Sequence, residues 1–339
     1  MQRFFKSDNT APAAPEILRA LERANEGYAR GYGDDIWSAQ LQSRFSALFE
    51  RDVAVFPLAT GTSANALALA TLVPPYGAIV THEEAHIVRD ECGAPEFMTA
   101  GARLQLVSGA GAKITPAALH DVIRANPTSV HTVQPRAVSI TQATEFGTVY
   151  SVAELRALGS ACSQLGLALH MDGARFANAV ASQGCSPAEL TWRAGIDVLS
   201  FGATKNGALS AEAVVFFDPA RVADFEWRRK RAGHLLSKMR FVSAQLLAYL
   251  EDDLWLRLAG RANALARELG AAAGTDLMQP VEANEVFVRI GDARIAELRA
   301  QGFEFYDWGA SGSGEARFVV SWCQSETDVA ALCRALRGS

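Results

Sequence analysis

A chain of 339 residues, 49% hydrophobic and 20% charged, is long enough to bury a large core and suggests two domains. Its 32 Lys+Arg against 37 Asp+Glu leave a net charge of −5, which argues against a general nucleic-acid binder and suits a soluble protein. Five scattered cysteines without CxxC spacing point to reduced thiols in a cytoplasm and to no zinc site. Residues 1–15 lack the apolar run of a signal peptide. The most apolar stretch, 64–80, is broken by Asn65, Pro74 and Pro75, so no membrane span is expected.

In chain order, a polar arm, Ser7-Asp8-Asn9, precedes a helix opened by Pro15 and running to about residue 28. The turn Gly31-Tyr32-Gly33-Asp34-Asp35 leads to a second amphipathic helix, whose Trp37, Leu41, Phe45, Leu48 and Phe49 read as core. An apolar strand over 54–58 ends in Ala59-Thr60-Gly61-Thr62-Ser63-Ala64-Asn65 and runs into an apolar helix over 66–73. Gly61 permits close backbone approach, and the free N–H groups of a helix start favour a phosphate. Thr62 and Ser63 either add hydroxyl donors or cap that helix.

A strand over 78–81 leads into His82-Glu83-Glu84-Ala85-His86, which formally matches H-E-x-x-H. The match straddles a strand end, and no third ligand follows, so no metal site is expected. Strands over 103–107, 137–143, 167–171, 197–201 and 213–217 alternate with helices over 115–126 and 151–165, the latter opened by the capping-box spacing of Ser151 and Glu154. This alternation predicts an α/β fold, with a mostly parallel central sheet covered by helices on both faces. Ligands of such sheets bind beyond the carboxyl ends of strands. The Gly61 turn, Asp172 and Lys205 all follow predicted strands.

The chain is expected to be helical from 219 to 274, with the basic run Arg228-Arg229-Lys230-Arg231 as a solvated or interface face. Strands at 285–290, near Phe303 and at 317–322, with helices over 293–300 and from Thr327, predict a small C-terminal α+β domain with a glycine- and serine-rich loop over 307–314. The expected domains are therefore 1–274, a large α/β domain with an N-terminal arm, and 275–339.

A lysine just past a buried strand can lose its proton and act as an amine nucleophile or Schiff-base partner. With a phosphate cradle and a carboxylate on the same sheet edge, it suits pyridoxal 5'-phosphate. The carboxylate keeps the pyridine nitrogen protonated, and an arginine fork can hold the carboxylate of an amino acid.

Ser7-Asp8, Tyr32-Gly33-Asp34-Asp35, Gly61-Thr62 with Asn65, His86, His170-Met171-Asp172-Gly173-Ala174-Arg175, Thr204-Lys205-Asn206-Gly207 and Arg317 resemble the low-specificity L-threonine aldolase family. These are fold-type I pyridoxal-phosphate enzymes of the β-eliminating lyase group, and some act on phenylserine. The resemblance spans almost the whole chain. It implies that Lys205 carries the cofactor, Asp172 pairs with the pyridinium and His86 stacks on the ring. Gly61 and Thr62 would bind phosphate, with Arg240 contributed by a neighbouring subunit. Ser7, Arg175 and Arg317 would bind the substrate carboxylate, and Tyr32 would approach from another subunit.

The resemblance also implies a cytoplasmic homotetramer of close dimers, with shared active sites. The reaction would be retro-aldol cleavage of β-hydroxy-α-amino acids to glycine and an aldehyde. Another lyase, an aminotransferase, a racemase or a non-catalytic cofactor-binding protein is the alternative. One departure concerns the β-hydroxyl. Many relatives carry Glu-Asn-Thr-His-Asn where this chain has Thr141-Gln142-Ala143-Thr144-Glu145, with Thr144 near the histidine position. The proton acceptor is then His86, or a water positioned by Thr144 or Glu145.

Overall fold

The computed structural model describes residues 2–126, 128–222 and 224–338. A short strand, β1 (Arg3–Phe4), begins the N-terminal arm. Helix α1 (Pro15–Ala24) stops one turn earlier than expected, and α2 (Ile36–Leu48) is capped by Asp35, which accepts from Ser38 N. Then come β2 (Ala54–Leu58), α3 (Gly61–Leu72), β3 (Gly77–His82) and β4 (Arg103–Val107). After these run β5 (Gln134–Thr141), β6 (Ala168–Gly173), β7 (Val198–Gly202) and β8 (Glu212–Phe216).

These seven strands form one sheet in the order β2-β8-β7-β6-β5-β3-β4. Only β8 runs against its neighbours, as the alternation of strand and helix requires of a mostly parallel sheet. Every residue of β7 and of β8 is buried, which is why both read as continuous apolar runs. The helix Val152–Leu165 carries the expected capping box between Ser151 and Glu154.

A second sheet, ordered β11-β12-β9, is built by β9 (Glu285–Arg289), β11 (Tyr306–Trp308) and β12 (Glu315–Val319), while β10 (Phe303–Glu304) pairs in parallel with β1. Strand β11 corrects the expectation of a loop from residue 307. Tyr306 and Trp308 pair with Arg317 and Glu315, and the turn is confined to residues between the strands. The core of this region draws in Phe5 from the arm and Leu265, Ala266 and Leu269 from the helix Leu254–Ala273. The boundary expected at 274/275 thus falls where that helix ends, while the helix packs into the later core. Among the described residues, no helix is long and apolar enough to cross a membrane.

Candidate active site

Strand β7 ends where Gly202 meets β6. A Cβ on Gly202 would stand 2.7 Å from Ala174 O and 2.8 Å from Gly173 O, so only glycine lets the two strand ends approach this closely. Lys205 follows on the turn after β7 and Asp172 stands at the end of β6, and both line one cavity. The turn is pinned from below: Asn206 Nδ2 donates to Tyr249 Oη (2.7 Å) and Trp255 O (2.8 Å), and Ala14 N donates to Gly207 O. Lys205 itself is half-buried and makes no hydrogen bond or ion pair within the described residues. Its amine is left for a ligand.

Lys205 lines a cavity of about 360 Å³ with Asn9, Gly61, Thr62, Asn65, His86, Glu91, Glu145, Asp172, Arg175, Ser210 and Glu212 among its walls. It lies beyond the carboxyl ends of the parallel strands, where the fold places ligands. A larger cleft, about 690 Å³, opens at the opposite end of the sheet between Arg136, Gly159 and Asp197, and has neither lysine nor histidine in its walls.

One wall is the start of α3. The helix begins at Gly61 rather than at 66, because Thr60 is its cap and accepts from Ser63 N. Thr62 is therefore in the first turn, and nothing stands within 4 Å of where a Cβ on Gly61 would point. Open space, free N–H groups and a positive helix end make an anion cradle.

From the same helix, Asn65 leads into a chain of acid–base groups. Asn65 Nδ2 donates to Asp172 Oδ2 (2.7 Å) and to Glu91 Oε1 (2.8 Å), and Ala174 N donates to Asp172 Oδ1. His86 Nδ1 lies 2.8 Å from Glu91 Oε1. That hydrogen bond holds the imidazole above the usual histidine range, while burial pushes Glu91 up. His86, Glu91 and Asp172 place ligand-type atoms within 4.8 Å of one another. His82 takes no part: its ring is engaged by Gly109 O and Glu84 N, and β3 ends there.

The turn after β5 corrects the expectation for Thr144. Thr144 is fully buried, its hydroxyl engaged with Gly111 O, Thr148 Oγ1 and the N–H groups of Phe146 and Thr148. It braces the turn and turns the next side chain inward. Glu145 enters the cavity instead. Its Oε1 accepts from His86 N and Thr141 Oγ1, both at 2.7 Å, while Oε2 is buried without a partner. Burial pushes this carboxyl up to about 7. Glu212, at the start of β8, is likewise raised to about 7 by burial, and its Oε2 accepts from Ala203 N.

A third cluster forms around Arg175. Its Nε and Nη2 donate to the two carboxylate oxygens of Asp8 at 2.7 and 3.0 Å, and its Nη1 lies 3.3 Å from Glu285 Oε2. Arg317 Nη1 stands 3.8 Å from Glu285 Oε1. Burial alone would lower the Arg175 guanidinium, but Asp8 and Glu285 more than offset it and raise it. Ser7 caps the turn Asp8–Thr10 through Asn9 N, so that Asn9 rather than Ser7 lines the cavity. Arg317 and Ser7 stand just outside that lining.

Tyr32 and Arg240 are not brought to this cavity within one chain. Tyr32 N donates to Ser237 O, its ring is 55% exposed, and Arg240 Nη1 donates to Gly27 O. Glu91, Glu212 and Glu285 escaped the sequence reading. Glu212 and Glu285 adjoin apolar residues and Glu91 follows another acid, so nothing local marks them, and only burial sets them apart.

Comparison with known proteins follows the same lines. The model of the family described as beta-eliminating lyase matches residues 5–293. The chain is 48% identical over 337 residues to a low specificity L-threonine aldolase of Pseudomonas sp., covering 98% of this chain and 96% of that one. A low specificity L-threonine aldolase of Pseudomonas aeruginosa is similar to the same degree, with the same coverage. A threonine aldolase from Leishmania major superposes with a TM-score of 0.93 at 28% identity, over 99% of both chains.

Proposed function

The chain belongs to the β-eliminating lyase family, and from that premise we propose that it is a carbon–carbon lyase. It cleaves L-threonine, L-allo-threonine and related β-hydroxy-α-amino acids, phenylserine among them, to glycine and an aldehyde, with pyridoxal 5'-phosphate as cofactor. The observation that carries this reading is the unpartnered Lys205 beside Asp172, in one cavity with the open start of α3.

The residues present fit that cofactor. Lys205 would hold it, Asp172 would keep its ring nitrogen protonated, and His86 would stack on its ring. The first turn of α3, with Gly61 and Thr62, would receive the phosphate. When bound, the cofactor supplies an electron sink for the pair left on Cα when the Cα–Cβ bond breaks. Arg175 and Arg317, with Ser7, hold the substrate carboxylate and so fix which bond to Cα is turned toward cleavage. Glu145 takes the proton of the β-hydroxyl through Oε2, directly or through one water. Its Oε1 is held by His86 N and Thr141, which supports that role.

The assembly is proposed to be a homotetramer with shared sites. Tyr28, Tyr32 and Ile36 are large exposed side chains close together in sequence, and Arg240 is tied to Gly27 beside them in the chain. The five cysteines are free, which suits a cytoplasmic protein.

The test is product analysis on threonine, allo-threonine and phenylserine stereoisomers, with and without added cofactor. Glycine and the matching aldehyde are expected, and none from Lys205→Ala. Wild-type turnover by Lys205→Ala would overturn the reading. A keto acid or a D-amino acid as product would assign a neighbouring chemistry of the same cofactor.

A further inference from the structure

Glu285 opens β9 and is 1% exposed. Neither of its carboxylate oxygens accepts a hydrogen bond, yet each faces a guanidinium: Arg175 Nη1 at 3.3 Å and Arg317 Nη1 at 3.8 Å. Arg317 Nε is also buried without a partner, and the Arg317 guanidinium is stacked 5.3 and 5.2 Å from the Tyr306 and Trp308 rings. A carboxylate of the protein thus stands between the two arginines assigned to the carboxylate of the substrate.

The charges close on themselves. Asp8 and Glu285 balance Arg175 and Arg317, and Asp8 already occupies one whole edge of Arg175. A substrate carboxylate brings one more negative charge into a group shut away from water. Glu285 must then either withdraw or lose its charge. Its main chain cannot withdraw: it pairs with Val319 in the sheet, and Gly147 packs on its Cβ and carbonyl so closely that a side chain there would stand 3.1 Å away. Neutralisation is open. Burial already pushes this carboxyl up, while Arg175 and Arg317 pull it down. Once those arginines share themselves with a second carboxylate, burial prevails. The other charged groups that face it are Asp8 from the arm and Lys205 from the turn after β7, while Glu145 acts on Arg175 from the turn after β5.

We propose that Glu285 is a positioning residue of the carboxylate site. It spaces Arg175 and Arg317 as a built-in carboxylate while the site is empty, and takes up one proton when an amino-acid carboxylate binds them. The inference rests on the reading that these two arginines receive that carboxylate. It makes recognition of the anionic substrate a proton-coupled step, and it makes an uncharged amide or ester of the same amino acid blind to Glu285.

The experiment is calorimetric binding of glycine and glycinamide to the holoenzyme, in buffers of different ionisation enthalpy between pH 6.5 and 9. Glycine binding to Glu285→Gln is expected to take up fewer protons than binding to wild type, by about one where uptake is complete, and its advantage in affinity is expected to vanish at the acid end and to grow by about tenfold per pH unit over the range of complete uptake. Glu285→Asp is expected to keep the proton uptake, and glycinamide to bind wild type and Glu285→Gln alike. Unchanged proton uptake in Glu285→Gln, or weaker glycine binding at every pH, would overturn the proposal. Arg317→Gln separates the two layers of inference. It is expected to weaken glycine about tenfold and to spare glycinamide; equal loss or no loss of both would sink the carboxylate assignment itself, whatever Glu285 does.

Discussion

Asn65 Nδ2 lies 2.7 Å from Asp172 Oδ2. The same amide nitrogen is 2.8 Å from Glu91 Oε1, so one neutral side chain separates two buried acids. Asn65→Asp replaces the donor by a third carboxylate, and one of the three must then carry a proton. Cofactor retention on dialysis, read from its visible absorbance, is expected to fall roughly 10- to 100-fold, the equivalent of one buried acceptor left unsatisfied. Undiminished retention would show that Asp172 does not depend on this amide.

The pH profile of cleavage should follow Glu145. Its carboxyl is raised to about 7, and the base is the deprotonated form. The kcat is therefore expected to rise through the region of pH 7. Glu145→Gln should remove that limb and lower kcat by roughly 100-fold or more with KM little changed. Exchange of the α-proton of glycine with solvent needs no hydroxyl base and should survive in the same variant. If cleavage and exchange fell together, the role assigned to Glu145 would be wrong.

Glu212 sets a stability gradient. Its folded value of about 7 lies above the ordinary 4.5, so the folded state binds the proton more tightly than the unfolded chain. Stability tied to this group is full below about pH 4.5 and is lost as pH rises through 7. The loss is on the order of 3 kcal/mol. The melting temperature of Glu212→Gln should match that of the wild type at the acid end and exceed it by several degrees at pH 8, measured without cofactor.

Gly202→Ala should damage the fold before the chemistry. The new Cβ meets main-chain atoms of Gly173 and Ala174 at 2.7 to 2.8 Å, and β6 and β7 must part. A loss of roughly 1–3 kcal/mol is expected from overpacking. Denaturant unfolding is the measurement, and wild-type stability in Gly202→Ala would contradict the close approach.

The proposed sharing of sites between subunits predicts complementation. Tyr32 is exposed in the single chain and so can change without cost to its own core. Lys205→Ala and Tyr32→Ala subunits, each expected to be poorly active, should regain activity when refolded together, because a mixed dimer holds one complete site. No recovery in a demonstrated mixed assembly would place Tyr32 outside the chemistry.

Much of this arrangement was legible in the chain. Lys205 and Asp172 stand just after apolar runs, and a parallel sheet gathers such positions at one edge whatever the helices do. Strand β2 was placed to the residue, since Ala54–Leu58 is a short apolar run ended by a glycine turn. Helix α3 starts five residues before the expected 66, because Thr60, Thr62 and Ser63 are all competent caps and only packing selects Thr60. The sequence leaves Thr144 and Glu145 both open as the hydroxyl-side group for a related reason. Which neighbour points inward depends on Gly111, Gln142 and Thr148, which fold that turn back on itself.

What the sequence determined by itself was order and periodicity: a mostly parallel α/β sheet, a lysine, a carboxylate and a phosphate turn at strand ends, and a family pattern along nearly the whole chain. Tertiary structure decided charge. Asp8 and Arg175 are 167 positions apart and form a two-bond pair, and Glu285 lies between Arg317 of its own sheet and Arg175 from the turn just past β6. Hydrophobic pattern is a local property of the chain. The proton affinity of a buried acid is a sum over neighbours in space, and it exists only once the fold has removed water from around it.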